Sequence, residues 1–244
     1  MNIIVITGWG LGHHVLKPFV DLLEAEGHKV DLWDIFDPFH PKILAEKISR
    51  AEYSQLLIGW SLGGQLALYL AHTLQTQREI DLPVICCMSN PSFVAQAAWF
   101  EAMPQVQYQQ FSKLMNSNPL KGLQRFCHLV TMGSEEPLKR AKTLQNNLSY
   151  IDLNYQKKHL YLLEQLDLRE MLKNHASKIL FLFSEQDQLV PCKVAEKVKY
   201  IAEDRIEIQI LKGTHDRILF EPKLILARIS NFLEMSISGE FEAF

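Results

Sequence analysis

The sequence predicts an α/β protein with a mostly parallel sheet of about six strands, helices on both faces and an inserted helical cap. Three observations predict this fold class. Short β-branched apolar runs recur, and stretches with helical apolar spacing separate most of them. One long interval has helix-like and loop-like sequence without a convincing buried strand. With 244 residues, 48% of them hydrophobic, the chain can form one core with an insertion, or two small domains.

Six apolar runs are the predicted strands. They occupy residues 3–7, 29–33, 55–60, 83–88, 178–183 and 206–211, and their composition predicts burial on both faces. Leucines and other apolar residues recur at helical spacing within 16–23, 43–48, 66–70, 194–201 and 224–232. Alternation of strand and helix predicts a parallel sheet with right-handed crossovers.

Residues 92–176 break this alternation. The interval is rich in Gln, Asn, Lys and Met, and it is too long for a simple crossover. We predict a helical cap over 92–176, inserted into a core made of 1–91 and 177–244; a second independent domain is the alternative. Residues 236–244 are expected to form a loosely held tail.

Composition excludes several function classes. The formal charge of −3 and the absence of a basic bias argue against a nucleic-acid partner. The four cysteines lack metal-ligand spacing, so neither a metal site nor a disulfide is expected. The first residues resemble neither a signal peptide nor a membrane span, and we expect a cytoplasmic monomer that does not bind membranes.

The stretch "IGWSLGG" at residues 58–64 places Ser61 between a predicted strand and a predicted helix. Glycines and serines are ordinary turn formers, so the stretch could be a simple turn. The spacing of Gly59, Ser61 and Gly63 is also that of a nucleophile elbow, in which glycines two positions away allow close backbone packing. The position after a strand and before a helix favours the nucleophile.

A serine nucleophile requires a histidine base and an acid that orients it, in the chain order Ser, acid, His for this architecture. The loops "FSEQDQLVP" and "KGTHDRILF" follow the last two predicted strands. They indicate Asp187 as the acid and His215 as the base. Glu185 is a competing acid, whereas Asp216 adjoins the base and is poorly placed to face its ring.

The loop after the first strand, "TGWGLGHH", predicts a second oxyanion donor. The backbone N–H groups of Trp9 and Leu62 are the expected pair, and the Trp9 indole is expected to line the acyl pocket. Glycines at 8, 10 and 12 resemble a dinucleotide-binding motif, but the third is misplaced, so no cofactor is expected.

The motifs "TGWG", "GWSLGG", "SNPSF", "RFCHLVTMGSE", "LDLRE", "DQLVP" and "GTH" occur in order over most of the chain. In these motifs the sequence resembles the pimeloyl-acyl-carrier-protein methyl ester esterases of biotin synthesis, which are capped α/β-hydrolases. The resemblance implies Ser61, Asp187 and His215 as the triad, Trp9 and Leu62 as oxyanion and substrate contacts, and a channel lined from Phe126 to Val130. Thr7 replaces the usual histidine of the family, and "DIFDPFHP" replaces a glycine-rich loop.

The resemblance also implies an acyl-carrier protein as partner. Residues 102–163 contain eight Lys/Arg against three acids, which leaves a net charge of about −8 on the rest of the chain. A basic cap would steer an acidic carrier, although a solvated helix face is the alternative. The expected carrier contacts are Lys121, Arg125, Lys139, Arg140 and Lys142.

The predicted function is therefore that of a serine carboxylesterase acting on pimeloyl-acyl-carrier protein methyl ester through an acyl-enzyme. A general short-chain carboxylesterase or thioesterase is the first alternative, and a non-catalytic hydrolase-like binding protein is the second. Aromatic and Met side chains of the cap are expected to form an apolar channel for the acyl chain. They are Trp99, Phe100, Phe111, Phe126 and Met132.

Overall fold

The computed structural model describes residues 1–201 and 205–238, with side chains up to residue 234. Six parallel strands form one sheet in the order β2-β1-β3-β4-β5-β6. The strands are β1 Asn2–Ile6, β2 Lys29–Trp33, β3 Leu56–Trp60, β4 Val84–Cys87, β5 Ile179–Ser184 and β6 Ile206–Leu211. The predicted strand number, positions and parallel pairing are confirmed.

Helices surround this sheet. Before β4 they are α1 Lys17–Ala25, α2 Pro41–Ala51 and α3 Leu62–Arg78. Between β4 and β5 they are α4 Gln105–Ser117, α5 Pro119–Thr131, α6 Pro137–Asn146, α7 Leu153–His159, α8 Leu162–Gln165 and α9 Arg169–Lys173. After β5 they are α10 Val194–Ile201, α11 Arg217–Phe220 and α12 Pro222–Ser238. Several begin at proline, which fits the first turn because its missing N–H has no helical partner.

The core lies around the central strands. Every residue of β3, β4 and β5 is buried, and α3 is buried along most of its length because it packs against β1, β3 and β4. The prediction that all strands are buried on both faces is wrong for β2 and β6. These strands form the edges of the sheet, and most of their residues are only partly buried.

The interval between β4 and β5 is helical, as predicted, and its only β contacts among the described residues are isolated bridges. One bridge joins Ser92 to Asp167, near the two ends of the predicted cap. We refer to 92–176 as the cap; its separation from the core as a domain stays a prediction. The expected tail begins within α12, and residues 239–244 lie outside the described residues.

No helix in the described ranges combines the length and hydropathy needed to cross a bilayer.

Candidate active site

Ser61 occupies a strained turn between β3 and α3. Its backbone has φ 55° and ψ −124°, a conformation that costs free energy for any residue with a side chain. A Cβ at Gly59 would lie 2.1 Å from the Gly63 carbonyl oxygen, and a Cβ at Gly63 would lie 2.2 Å from the Ile6 carbonyl oxygen. Both glycines are therefore required by close backbone packing, which is the geometry expected of a nucleophile elbow.

His215 and Asp187 form a buried pair. Nδ1 of His215 lies 2.7 Å from Oδ2 of Asp187, and neither side chain is exposed to solvent. Asp187 is held in place because its Oδ1 accepts hydrogen bonds from the backbone N–H groups of Leu189 and Val190, at 2.8 and 2.9 Å. This geometry favours the tautomer in which Nδ1–H donates to Asp187 and leaves a lone pair on Nε2.

Neither competing acid reaches the His215 ring. Glu185 is exposed on the surface. Asp216 is buried, but its carboxyl group accepts hydrogen bonds from the Thr214 hydroxyl and from Arg140. Burial raises the pKa of Asp216, and the bonds from Thr214 and Arg140 oppose that rise.

The other ring nitrogen of His215 is buried and, among the described residues, has no hydrogen-bond partner. The Trp60 indole packs 5.5 Å from the His215 ring, centre to centre, and donates a 3.0 Å hydrogen bond to the His215 carbonyl. This bond ties the His215 loop to the strand that delivers Ser61. A hydrogen bond between Ser61 Oγ and His215 Nε2 is not formed in the structure.

The loop after β1 lies beside Ser61. The Cβ position of Gly8 is 3.1 Å from Ser61 Cβ. Thr7 closes this loop by donating from Oγ1 to the Gly12 carbonyl at 2.9 Å. The backbone N–H groups of Trp9 and Leu62 donate to no other described residue, so both remain available to an oxyanion.

Gln156 of α7 is a residue that the sequence analysis missed. It is almost fully buried; its Oε1 accepts from the Gly10 N–H at 2.8 Å, and its carbonyl accepts from the Trp9 indole N–H at 2.8 Å. The cap thus fixes both the backbone and the indole of the predicted oxyanion loop. The neighbouring loop at 34–40 is held similarly, since the Tyr155 hydroxyl donates to the Ile35 carbonyl at 2.7 Å.

A small apolar pocket at Ser61 lies next to a larger cavity. The pocket, of about 20 Å³, has Trp9 and Ser61 in its wall. The cavity, of about 380 Å³, lies between the cap and the loop after β5. Four side chains line both spaces, so the pocket and the cavity are adjacent. They are Met103, Phe126, Leu163 and Leu189.

The predicted channel residues divide into two groups. Phe126 and Phe111 line the cavity, and both stack edge-on against Trp9 at 5.1 and 5.6 Å. Val130 is fully buried in the core and lines neither space, and its neighbour Leu129 lines the cavity instead. The other predicted channel residues line neither the pocket nor the cavity. Trp99 lines a separate surface groove, and the remaining two are exposed to solvent. The exposed residues are Phe100 and Met132.

The predicted carrier contacts also differ from one another. Lys121 and Arg125 are exposed on α5, and Arg125 lines the mouth of the cavity. Lys139 and Lys142 are exposed on α6, with Lys139 paired to Glu136 at 2.9 Å. Arg140 is not a free surface cation, because its side chain is only 18% exposed and it points to Asp216 in the core. Its role as a carrier contact stays a prediction.

Within the ranges that the structure describes, no cluster of three or more His, Cys, Asp or Glu side chains is arranged to hold a metal ion.

No protein-family model matches the chain. The chain is 28% identical to the biotin biosynthesis bifunctional protein BioHC of Cellvibrio japonicus over 95% of its length, but spans only 47% of that protein. It is 26% identical to a pimeloyl-[acyl-carrier protein] methyl ester esterase of Vibrio vulnificus, covering 95% of this chain and 93% of the relative.

Solved structures share the fold. An esterase from Exiguobacterium antarcticum superposes with a TM-score of 0.79 at 16% identity, over 96% of this chain and 92% of that one. A bromoperoxidase from Bacillus anthracis gives a TM-score of 0.78 at 14% identity, over 96% and 91%. The chain has the α/β-hydrolase fold and is related in sequence to the pimeloyl-[acyl-carrier protein] methyl ester esterases.

Proposed function

We propose that this protein is a serine carboxylesterase that hydrolyses the methyl ester of pimeloyl-acyl-carrier protein. One observation carries the chemistry: a strained serine opens onto an apolar pocket on the same rim of the sheet as a buried His–Asp pair. The substrate follows from the relatives, whose names specify this ester, and from the basic surface beside the cavity mouth.

In the proposed reaction His215 is the base and Ser61 the nucleophile. His215 Nε2 takes the hydroxyl proton as Ser61 Oγ bonds to the ester carbonyl carbon, and the backbone N–H groups of Trp9 and Leu62 stabilise the oxyanion. The proton then passes to the methoxy oxygen and methanol leaves. Water, deprotonated by His215, cleaves the acyl-enzyme, releasing the acid and restoring Ser61.

The environment of His215 supports its role. Nδ1 of His215 is paired with Asp187. Nε2 is buried and has no hydrogen-bond partner among the described residues, so its lone pair is available to take a proton from the nucleophile. Asp187 is expected to orient the ring and stabilise the imidazolium formed during attack. No group beyond these side chains and backbone donors is required by the proposed steps.

The pocket and cavity support a linear acyl substrate. The small apolar pocket at Ser61 adjoins the cavity that Arg125 lines, so we propose that the acyl chain lies against Phe126 and Leu163, with its far end near exposed cations. An acidic carrier protein attached at that end would meet the basic helices α5 and α6. We also propose that the protein works in the cytoplasm.

The substrate is tested by comparing kcat/KM for the carrier-bound methyl ester with that for free dimethyl pimelate. We expect the carrier-bound ester to be preferred, and the preference to shrink as salt screens the basic surface. Equal values at low and high salt would indicate a general short-chain carboxylesterase instead, and faster cleavage of the thioester would indicate a thioesterase. Growth of a biotin-requiring esterase-deficient strain, with Ser61→Ala as control, tests the role in cells.

A further inference from the structure

A cap arginine reaches the loop that carries His215. Arg140, on α6, places Nη1 3.4 Å from Oδ1 and 3.3 Å from Oδ2 of Asp216, the residue after His215. Its Nη2 lies 3.7 Å from Glu221 Oε1, and its guanidinium carbon lies 4.8 Å from the centre of the Phe220 ring. The guanidinium thus contacts one buried residue, Asp216, and two partly buried residues, Phe220 and Glu221.

Asp216 depends on this partner. Its side chain has no solvent exposure, so its charge must be compensated within the protein. Thr214 donates one hydrogen bond from the same loop, but Arg140 is the cation that contacts it among the described residues. Removing Arg140 alone would leave a buried carboxyl group without its counter-charge, one residue from the proposed base.

The turn before α6 touches both loops of the buried pair. Gly133 has φ +93°, and a Cβ there would lie 3.2 Å from Thr214 Cγ2 and 3.4 Å from the Gln186 carbonyl oxygen. Residues 214 and 186 precede His215 and Asp187 in sequence. The turn is braced internally, because the Thr131 hydroxyl donates to the Pro137 carbonyl at 3.0 Å.

The helix on the other side of this turn, α5, carries the cavity wall. Phe126, Leu129 and Arg125 of α5 line the cavity. The α5–α6 hairpin therefore contributes to both regions: the C-terminal half of α5 lines the cavity, and the turn and the start of α6 contact the His215 loop. The Arg140–Asp216 ion pair is the charged contact between the hairpin and that loop.

We infer that Arg140 is a positioning residue, which aligns His215 through Asp216 and couples the seating of the cap on the core to catalysis. The inference rests on the proposed function and extends it. Arg140 lines neither the pocket at Ser61 nor the cavity, so its loss should act on kcat through the base rather than on the binding of carrier protein. It differs in this respect from the exposed cations of α5 and α6.

A double-mutant cycle with Arg140→Met and Asp216→Asn tests this role, using a short p-nitrophenyl ester that needs no carrier. Rates are divided by the concentration of sites titrated with a fluorophosphonate, so that misfolded enzyme does not count. Arg140→Met should lower kcat about tenfold with a smaller change in KM, and the same substitution in the Asp216→Asn background should change kcat less than about twofold.

Two further variants complete the experiment. Arg140→Lys keeps the charge without the planar fork, and we expect a kcat between those of wild type and Arg140→Met. If Arg140→Met does not fold, a lowered kcat of Arg140→Lys at an unchanged melting temperature supports the role, and a wild-type kcat overturns it. Arg228→Met, an exposed arginine of α12, is the matched control.

Equal effects of Arg140→Met in both backgrounds, or none in either, would overturn the inference. So would a loss seen only with carrier-bound ester and abolished by salt, since that would make Arg140 a carrier contact. The Ser61→Ala variant separates failure of the proposed function from failure of the positioning role. If Ser61→Ala retains turnover, the proposed esterase activity is refuted. If Ser61→Ala loses turnover but the double-mutant cycle shows no coupling between Arg140 and Asp216, only the positioning role is refuted.

Discussion

Gln156 of the cap accepts a 2.8 Å hydrogen bond from the backbone N–H of Gly10, in the loop that carries the proposed oxyanion donor Trp9. The two residues are 146 positions apart in the chain. The Trp9 indole bonds to the Gln156 carbonyl as well, so one cap residue fixes the loop at two points. The cap therefore contributes to the proposed catalytic geometry in addition to covering the cavity.

Gln156→Ala should lower kcat/KM for a short ester by about tenfold or more, because the Gly10 N–H would lose its partner in a buried loop. Gln124→Ala, at an exposed position of α5, is the control and should behave as wild type. Equal kinetics for the two variants, measured with p-nitrophenyl acetate, would show that the oxyanion loop does not need this support.

Gly59→Ala should destabilise the fold by more than about 2 kcal/mol, since the new methyl group would collide with the Gly63 backbone and not with a movable side chain. Gly27→Ala is the control. Gly27 has φ +85° with nothing near its Cβ position, so only the conformational cost of about 1 kcal/mol is expected there. Urea unfolding measures both, and equal losses would contradict the packing explanation.

Stability should fall in mild acid because of His175. Burial, followed by the nearby His72, lowers the pKa of His175 to about 4, below the value of an unfolded histidine. As the pH falls, His175 is protonated at a higher pH in the unfolded chain than in the folded protein. Its contribution to the free energy of unfolding is therefore fully present above about pH 6.5 and is lost as the pH falls towards 4, by roughly 3 kcal/mol at most.

His175→Asn should flatten this decline relative to wild type, whereas His40→Asn, at an exposed position, should not. Urea unfolding at several pH values between 4 and 7 gives, for each protein, the slope of the free energy of unfolding against pH. A His175→Asn variant with the wild-type slope would mean that other groups cause the acid sensitivity.

Asp187→Asn should lower kcat by about 10³-fold to 10⁴-fold, because an amide no longer selects the correct His215 tautomer or stabilises the imidazolium. Glu185→Gln, two residues earlier and exposed, should stay within about twofold of wild type. Kinetics with a p-nitrophenyl ester separate the two acids, and the reverse ranking would make Glu185 the orienting group.

Local sequence predicted the strands and the strained serine well, for a physical reason. A buried strand and a nucleophile elbow can each be recognised within a few consecutive residues, as an apolar run or as glycines at fixed spacing from the serine. Edge exposure of β2 and β6 depends on strand order, which local sequence does not contain. The same holds for the face of α5: Leu129 and Val130 are both apolar, and only packing decides which one meets the cavity.

Long-range polar contacts were the least predictable feature. Nothing near Gln156 marks it as buried, since it precedes two lysines in a polar helix. Arg140 similarly resembles a solvated cation of α6 until Asp216 is placed against it. Such residues acquire their roles from partners that are distant in the chain.

The most direct test of the central claim is intact-mass measurement after treatment with a fluorophosphonate, followed by peptide mapping. The proposed chemistry predicts a single adduct on Ser61, absent from Ser61→Ala and formed much more slowly in the variant with His215→Ala. Failure of folded wild-type protein to react, or modification of another serine, would contradict the assignment of Ser61 as the nucleophile.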